Sequence, residues 1–349
     1  MACLVGDGRD VGAISSQTRH VHGGDAMTRE RRASSEALAL AAAFVGGACL
    51  SLQARFNGTL GEPLSEPLVA AIWSFGSGLA LLVLALAVPS LRQGATRLVL
   101  SIRAGRLRWW ECLGGVLGGA FVAVQTSAVG LLGVAVFIVA SVGGRALGGL
   151  LADHVGAGPK GRTPITPVRA LAGAFAVVGV AITVSGQHVP GGIAILPALA
   201  VIIAGVMTQF QQGLNGRVSA RAGSSYATTL QNFLVGVIAL VVFAGARVLL
   251  GFTQWQWPHD APWWAWLGAP LGIAFIGLSA WATEHISVLV LGLMGIMGQL
   301  VAALVIDLLD PVAREGVGVR TVVGMVVTAA AAAMAARSGG RRATSDARS

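Results

Sequence analysis

Charge is scarce in this 349-residue chain: Asp, Glu, Lys and Arg make up only 11% of it, against about 25% in soluble domains. That excludes an ordinary soluble enzyme or a solvated binding module. Cysteine is nearly absent. Cys3, Cys49 and Cys112 form an odd set with neither metal-ligand nor CxxC spacing, so a disulfide framework and a structural metal site are both unsupported. Proline is sparse and no G-X-Y period runs through the 49 glycines, which removes collagen and flexible-linker readings. No G-x-G-x-x-G follows a strand pattern, and no Walker motif, H-E-x-x-H or acid–base cluster occurs. The expectation is therefore a non-enzyme without cofactor or metal.

What the chain has is apolar length. Hydrophobic residues make up 55% of it, and a window of about 20 residues, roughly the 30 Å of a bilayer core, marks ten runs: 37–57, 67–88, 110–129, 132–152, 168–186, 193–213, 226–247, 264–283, 286–307 and 320–336. Helices are expected because they satisfy their backbone groups internally. The net charge of +9 sits in the gaps between runs rather than on one amphipathic face, which argues against nucleic acid and for topology. With a cytoplasmic N-terminus, Arg29, Arg31, Arg32, Arg92, Arg97, Arg103, Arg106, Arg108, Lys160, Arg162, Arg169, Arg217, Arg221, Arg337, Arg341 and Arg342 share one side, opposite only Arg247, Arg314 and Arg320. Both termini are thus expected inside a bacterial-type inner (plasma) membrane, with the lipid bilayer as partner. Residues 1–36 read as a polar cytoplasmic tail in which Met27 is an alternative start, and residues 337–349 as a basic, disordered cytoplasmic tail.

The second half restates the first. Gly47, Gln53, Asn57, Gly58, Phe75 and Gly78 recur in the same spacing as Gly205, Gln211, Asn215, Gly216, Phe233 and Gly236. Trp109, Trp110, Gly114, Gly118, Phe121, Gly144 and Asp153 recur as Trp263, Trp264, Gly268, Gly272, Phe275, Gly298 and Asp307. Matched Gln, Asn, Trp-Trp and Asp are not products of apolar composition. Each copy, 37–187 and 188–336, holds five runs, and an odd number makes the second copy enter the membrane from the opposite side. The fold class expected is an all-α membrane protein of about ten transmembrane helices in two inverted five-helix repeats.

The stretches Leu52-Gln53-Ala54-Arg55-Phe56-Asn57-Gly58, Trp109-Trp110 with Leu113-Gly114-Gly115, and Leu150-Leu151-Ala152-Asp153-His154, with their counterparts around Gln211, Trp263 and Gln299, resemble the YdcZ-type family (domain of unknown function 606) of the drug/metabolite transporter superfamily. The resemblance covers about 37–336 and implies an EamA-like transporter of small metabolites or drugs. Typical members resemble single five-helix units that pair, whereas this chain is similar to a fused pair. It departs from the family pattern at Arg145, where the family has Gln, and at Arg55.

Amides on membrane helices cost free energy unless hydrogen-bonded, so Gln53 with Asn57 and Gln211 with Asn215, each four apart on one face, should look into the bundle. They either glue helices together or line a substrate path, together with Gln231, Asn232, Arg145 and Gln299. Arg145 lies eight residues before Asp153, about 12 Å along a helix. It either snorkels to the headgroups, pairs with an acid, or lines a cavity and attracts an anionic group. The acids Glu66, Glu111, Asp153, Glu284 and Asp307 fall near run ends, and run one lacks the central Glu of small-multidrug-type proton exchangers. Asp153, Asp307 and Arg55 remain candidates for coupling or gating, or are helix-end charges. Gly114-x-x-x-Gly118, Gly144-x-x-x-Gly148, Gly268-x-x-x-Gly272 and Gly298 let helices approach closely.

The function expected is secondary transport, export or exchange, of a small organic solute by alternating access, with a proton or ion as a candidate coupling partner and either a monomer or a homodimer as the working unit. The alternative is a non-transporting membrane scaffold or regulatory protein, which would pack Gln53, Gln211 and Arg145 fully against helices and leave no cavity between them.

Overall fold

A computed structural model describes the backbone of residues 11–62, 67–158, 161–162, 165–185, 195–252, 260–282 and 288–346, and the side chains of 34–62, 67–158, 161–162, 165–185, 195–252, 260–275, 278, 282 and 294–334. The described residues form eleven α-helices and no strand: α1 (Val11–Gly61), α2 (Leu68–Ala85), α3 (Pro89–Arg103), α4 (Gly114–Leu132), α5 (Val134–Val155), α6 (Pro167–Val184), α7 (Ile195–Ala222), α8 (Ser225–Leu249), α9 (Gly268–Ala282), α10 (Val288–Leu309) and α11 (Val319–Asp346). Short 3-10 turns at Trp109–Leu113 and Trp263–Leu267 lead into α4 and α9. Among the described residues, seven helices are long and apolar enough to cross a membrane, and Met294–Leu309 and Val319–Met334 are shorter apolar segments.

Ten of the eleven helices fall on the ten expected runs. The extra one is α3. It holds Arg92, Arg97 and Arg103, which had been assigned to a basic loop, and it buries Gly94, Leu98 and Ser101 while leaving Val99, Leu100 and Ile102 exposed. That is the pattern of a helix lying along an interface rather than across it. Both tails also differ from expectation. α1 reaches back to Val11 and α11 runs on to Asp346, because neither stretch contains a proline and a transmembrane helix supplies a nucleus onto which further turns add cheaply.

The duplication is visible as reciprocal contacts. Phe75 of α2 stacks on its repeat mate Phe233 of α8 with ring centroids 4.9 Å apart. A Cβ on Gly78 would strike Phe233, and one on Gly236 would strike Phe75. Such self-paired contacts are what a two-fold relation requires. Elsewhere Gly144 of α5 sits against the Ile202 carbonyl of α7, and its mate Gly298 of α10 sits against the Phe44 carbonyl of α1. Gly205 likewise approaches the Ser141 carbonyl and Gly47 the Gly295 carbonyl. Each approach leaves no room for any side chain, so α5 packs on α7 and α1 on α10 backbone to backbone. The largest apolar core gathers on α5, with Phe137, Val134, Val136 and Val139 buried among residues of α4, α7, α10 and α11.

Candidate functional site

The Gln-x-x-x-Asn pairs and the Gly-x-x-x-Gly pairs turn out to be two sides of one device. A Cβ on Gly118 would meet the Gln211 amide and one on Gly114 the Asn215 amide. In the other half, Gly272 faces Gln53 and Gly268 faces Asn57. The glycines of α4 and α9 thus make space for amides carried by α7 and α1 of the opposite repeat. Helix approach alone, the role expected from the sequence, describes Gly144 and Gly298 better than Gly114, Gly118, Gly268 or Gly272.

Between these helices lies a cavity of about 600 Å³. Gln53, Arg145, Gln211, Asn215, Asn232 and Gln299, from five helices, all line it. Gln125, Thr208, Gln209, Gln212, Thr228 and Thr229 extend the polar wall, and Phe75, Phe121, Phe137 and Phe275 supply aromatic surface. The cavity reaches Ser219 and Ser225, at the turn between α7 and α8, on the face that carries Arg217 and Arg221. The side chain of Gln211 donates to Asn232 at 3.2 Å, which holds both amides at the wall. Arg145 bonds Ser141 at 3.2 Å, and its guanidinium stands 5.9 Å from the Phe121 ring centre. Its guanidinium thus lies against Phe121 and pairs with no acid among the described residues. Asn57 and Gln231 are not among the described lining residues. The first donates to Gln125 at 2.7 Å and the second bonds the Cys112 carbonyl, so both act as helix glue.

At the end of the bundle opposite Arg217, described side chains tie the helices together. Arg55, expected as an interfacial charge, pairs with Asp310 and reaches Glu62 at 3.7 Å. Phe56 packs on Trp264 with centroids 5.1 Å apart. Asp307, expected near the periphery, is only 3% exposed and accepts from the backbone N–H groups of Val134 and Ala135 at 2.9 and 2.7 Å. These are free donors of the first turn of α5, where the helix dipole also favours an anion. Gly133, whose φ of 77° suits glycine, brings that turn to within contact of the carboxylate. Its mate Asp153 instead pairs with Arg169, with its side chain 42% exposed.

The sequence reading missed one cluster outright. Glu111 is 1% exposed and bonds Arg221 and Arg217, the latter at 3.4 Å, and takes the Arg108 N–H at 2.9 Å. Arg217 also lies 5.5 Å over Trp110 and donates to the Gly156 and Gly158 carbonyls at 2.5 and 3.3 Å. The two arginines had been counted only as topology signals. Their spacing of four on α7 was visible, but their acid lies about a hundred residues away. Glu66 and Glu284 fall outside the described residues.

Two inverted five-helix repeats enclosing an amide-lined cavity that opens at one face define a multi-pass membrane transporter. The YdcZ family of drug/metabolite transporters, described as "putative inner membrane exporter", matches residues 38–182 and again 196–334. The chain belongs to that family as a fused two-repeat member. No curated protein matches the chain.

Proposed function

We propose that the chain exports a small organic solute across the inner membrane by alternating access, with the cavity as its binding site and the units 37–187 and 188–336 as the exchanging halves. One observation carries the reading: repeat mates stand in opposite states. Asn57 is 1% exposed and sealed against Gln125, while its mate Asn215 lines the open cavity. In the same sense α1 packs on α4, whereas their mates α7 and α9 make no comparable contact among the described residues. If the halves exchange conformations, the sealed end opens as the open end seals.

The arginine bias assigns the open face to the cytoplasm, with both termini on that side, so this is the state that loads cargo for export. In the exchanged state Asp153 takes the role of Asp307, capping the start of α10 as Asp307 caps α5. The open cavity also speaks against a passive scaffold, which would pack Gln53, Gln211 and Arg145 completely.

The test is labelling of single cysteines in a cysteine-free background by a membrane-impermeant thiol reagent. Asn215→Cys should react from the cytoplasmic face, and Asn57→Cys from the outer face only as turnover proceeds. Two sites reached from the same face, or reactivities unmoved by adding a transported solute, would refute alternating access. Sidedness itself is read by labelling near Arg97 and near Pro258, which should lie on opposite faces.

A further inference from the structure

Resting on the reading of the cavity as a transport site, we infer that the cargo is a singly charged organic carboxylate, and that Arg145 makes its movement an exchange of one anion for another. The inference begins with an unanswered charge. The guanidinium of Arg145 opens on the cavity, and among the described residues lining that cavity there is no Asp or Glu. Among the described residues its hydrogen bond goes to a neutral hydroxyl, Ser141, and its Nε is buried with no partner. Asp153, two helical turns away on α5, is engaged by Arg169. A half-buried cation facing the cavity is the complement of a planar oxyanion, which can take two parallel N–H bonds from it.

The remaining vacancies refine the class. Gln299, the repeat mate of Arg145, and Asn215 each hold a buried side-chain oxygen without a partner among the described residues. Both line the same cavity. The Asn215 oxygen is packed on Gly114, which leaves Gln299 as the residue that asks for a donor, so a carboxylate that also carries an O–H or N–H group answers Arg145 and Gln299 at once. Phe121 and Phe275 flank the polar groups and suit an apolar body. A cation would meet uncompensated repulsion, and a dianion would bring one charge more than the site neutralises.

The exchange follows from the same charge. While the cavity is open, water solvates the guanidinium. To reorient, the protein must pass through a closed state that excludes this water, and an unpaired buried ion makes such a state costly. A bound monoanion makes the contents neutral and removes the obstacle. The empty carrier therefore returns slowly, and a second carboxylate on the far side carries it back.

The probes are 4-hydroxybenzoate, 4-hydroxybenzamide and 4-hydroxybenzylamine, which share a ring and a donor and differ in charge, with straight-chain monocarboxylates from acetate to octanoate and their amides beside them. Carboxylates should raise the unfolding temperature of the purified protein, binding about tenfold or more tighter than the matching amides. Arg145→Gln, which installs the amide already present at Gln299, should erase that preference, and Arg145→Lys should keep it. In proteoliposomes, uptake of labelled 4-hydroxybenzoate should be about tenfold faster with 4-hydroxybenzoate inside than with chloride alone inside, a comparison that needs no variant. Equal uptake in the two cases overturns the exchange, and no stabilisation by any carboxylate overturns the anion. Preference for the amide or the amine, lost in Gln211→Leu, overturns the anion while leaving the cavity as the binding site. Stabilisation by carboxylate unaffected by Arg145→Gln and Gln211→Leu alike would place binding elsewhere and remove both readings.

Discussion

Asp307 and Asp153 occupy equivalent positions in the two repeats, so identical substitutions there should cost the same if sequence alone set the energetics. The structure says otherwise. Asp307 is buried and receives two backbone N–H groups at 2.9 and 2.7 Å. Each such charge-assisted bond contributes about 1.5–3 kcal/mol, and deleting the acceptor leaves both donors without a partner. Asp307→Ala should therefore destabilise the protein by about 3–5 kcal/mol, and Asp307→Asn, which keeps one acceptor oxygen, by roughly half of that. Asp153, half-exposed and paired with Arg169, should cost about 0–1 kcal/mol when changed to Ala.

Thermal unfolding of the detergent-solubilised variants measures this, with a shift on the order of 5–10 °C expected for Asp307→Ala and little for Asp153→Ala. The same loss should be legible as a change of state. Under the proposed alternating access the cap belongs to the outward-sealed conformation, so removing about 3 kcal/mol from it should move the balance between the two states by roughly a hundredfold. Outer-face labelling of Asn57→Cys should then rise in the Asp307→Ala background and not in Asp153→Ala. Equal costs at the two positions, or Asp307→Ala unfolding within a degree of the unmodified protein, would refute the reasoning from capping.

Three further outcomes follow from the packing and the ion pairs. Gly144→Ala and Gly298→Ala each press a methyl group onto a backbone carbonyl of the facing helix and should cost about 1–3 kcal/mol by thermal unfolding. Gly149→Ala, with nothing within 4 Å, should be neutral or stabilising by about 0.5–1 kcal/mol. Glu111→Ala removes the acid that Arg221 and Arg217 share and should cost about 2–3 kcal/mol, less than a fully buried pair because the Arg221 side chain is 43% exposed and Arg217 keeps the Gly156 and Gly158 carbonyls. At Asp310, beyond the end of α10, burial pushes the carboxyl pKa up, but the N–H groups of Ala313 and Val312 and the Arg55 guanidinium outweigh it and leave the pKa below the ordinary carboxylate value. A depressed pKa contributes stability that is complete above the unfolded-state value and lost as pH falls through the folded one. The unfolding-temperature difference between the unmodified protein and Asp310→Asn should thus be present at neutral pH and vanish on acidification below the ordinary carboxylate range.

The apolar spans, the duplication and the family were legible because each depends on short-range pattern. Apolar length sets which segments leave water, and matched Gln, Asn, Trp-Trp and Asp reveal the repeat whatever their neighbours. Even α3 left a trace, since its arginines are interleaved with leucine and isoleucine at helical spacing, although a span-length window passes over so short a helix. The amides, too, were recognisable as residues that must face inward. What the chain's linear order could not disclose is which partners they meet. Only the folded bundle showed that Gly118 and Gly272 exist to admit Gln211 and Gln53, that Asn57 is sealed while Asn215 is open, and that Glu111 answers two arginines. Two copies of one pattern are nearly equivalent as sequence, and the difference between them lies in the packing of helices far apart in the chain. Asn57 and Asn215 differ because the helices packed around them differ, not because their local sequences do.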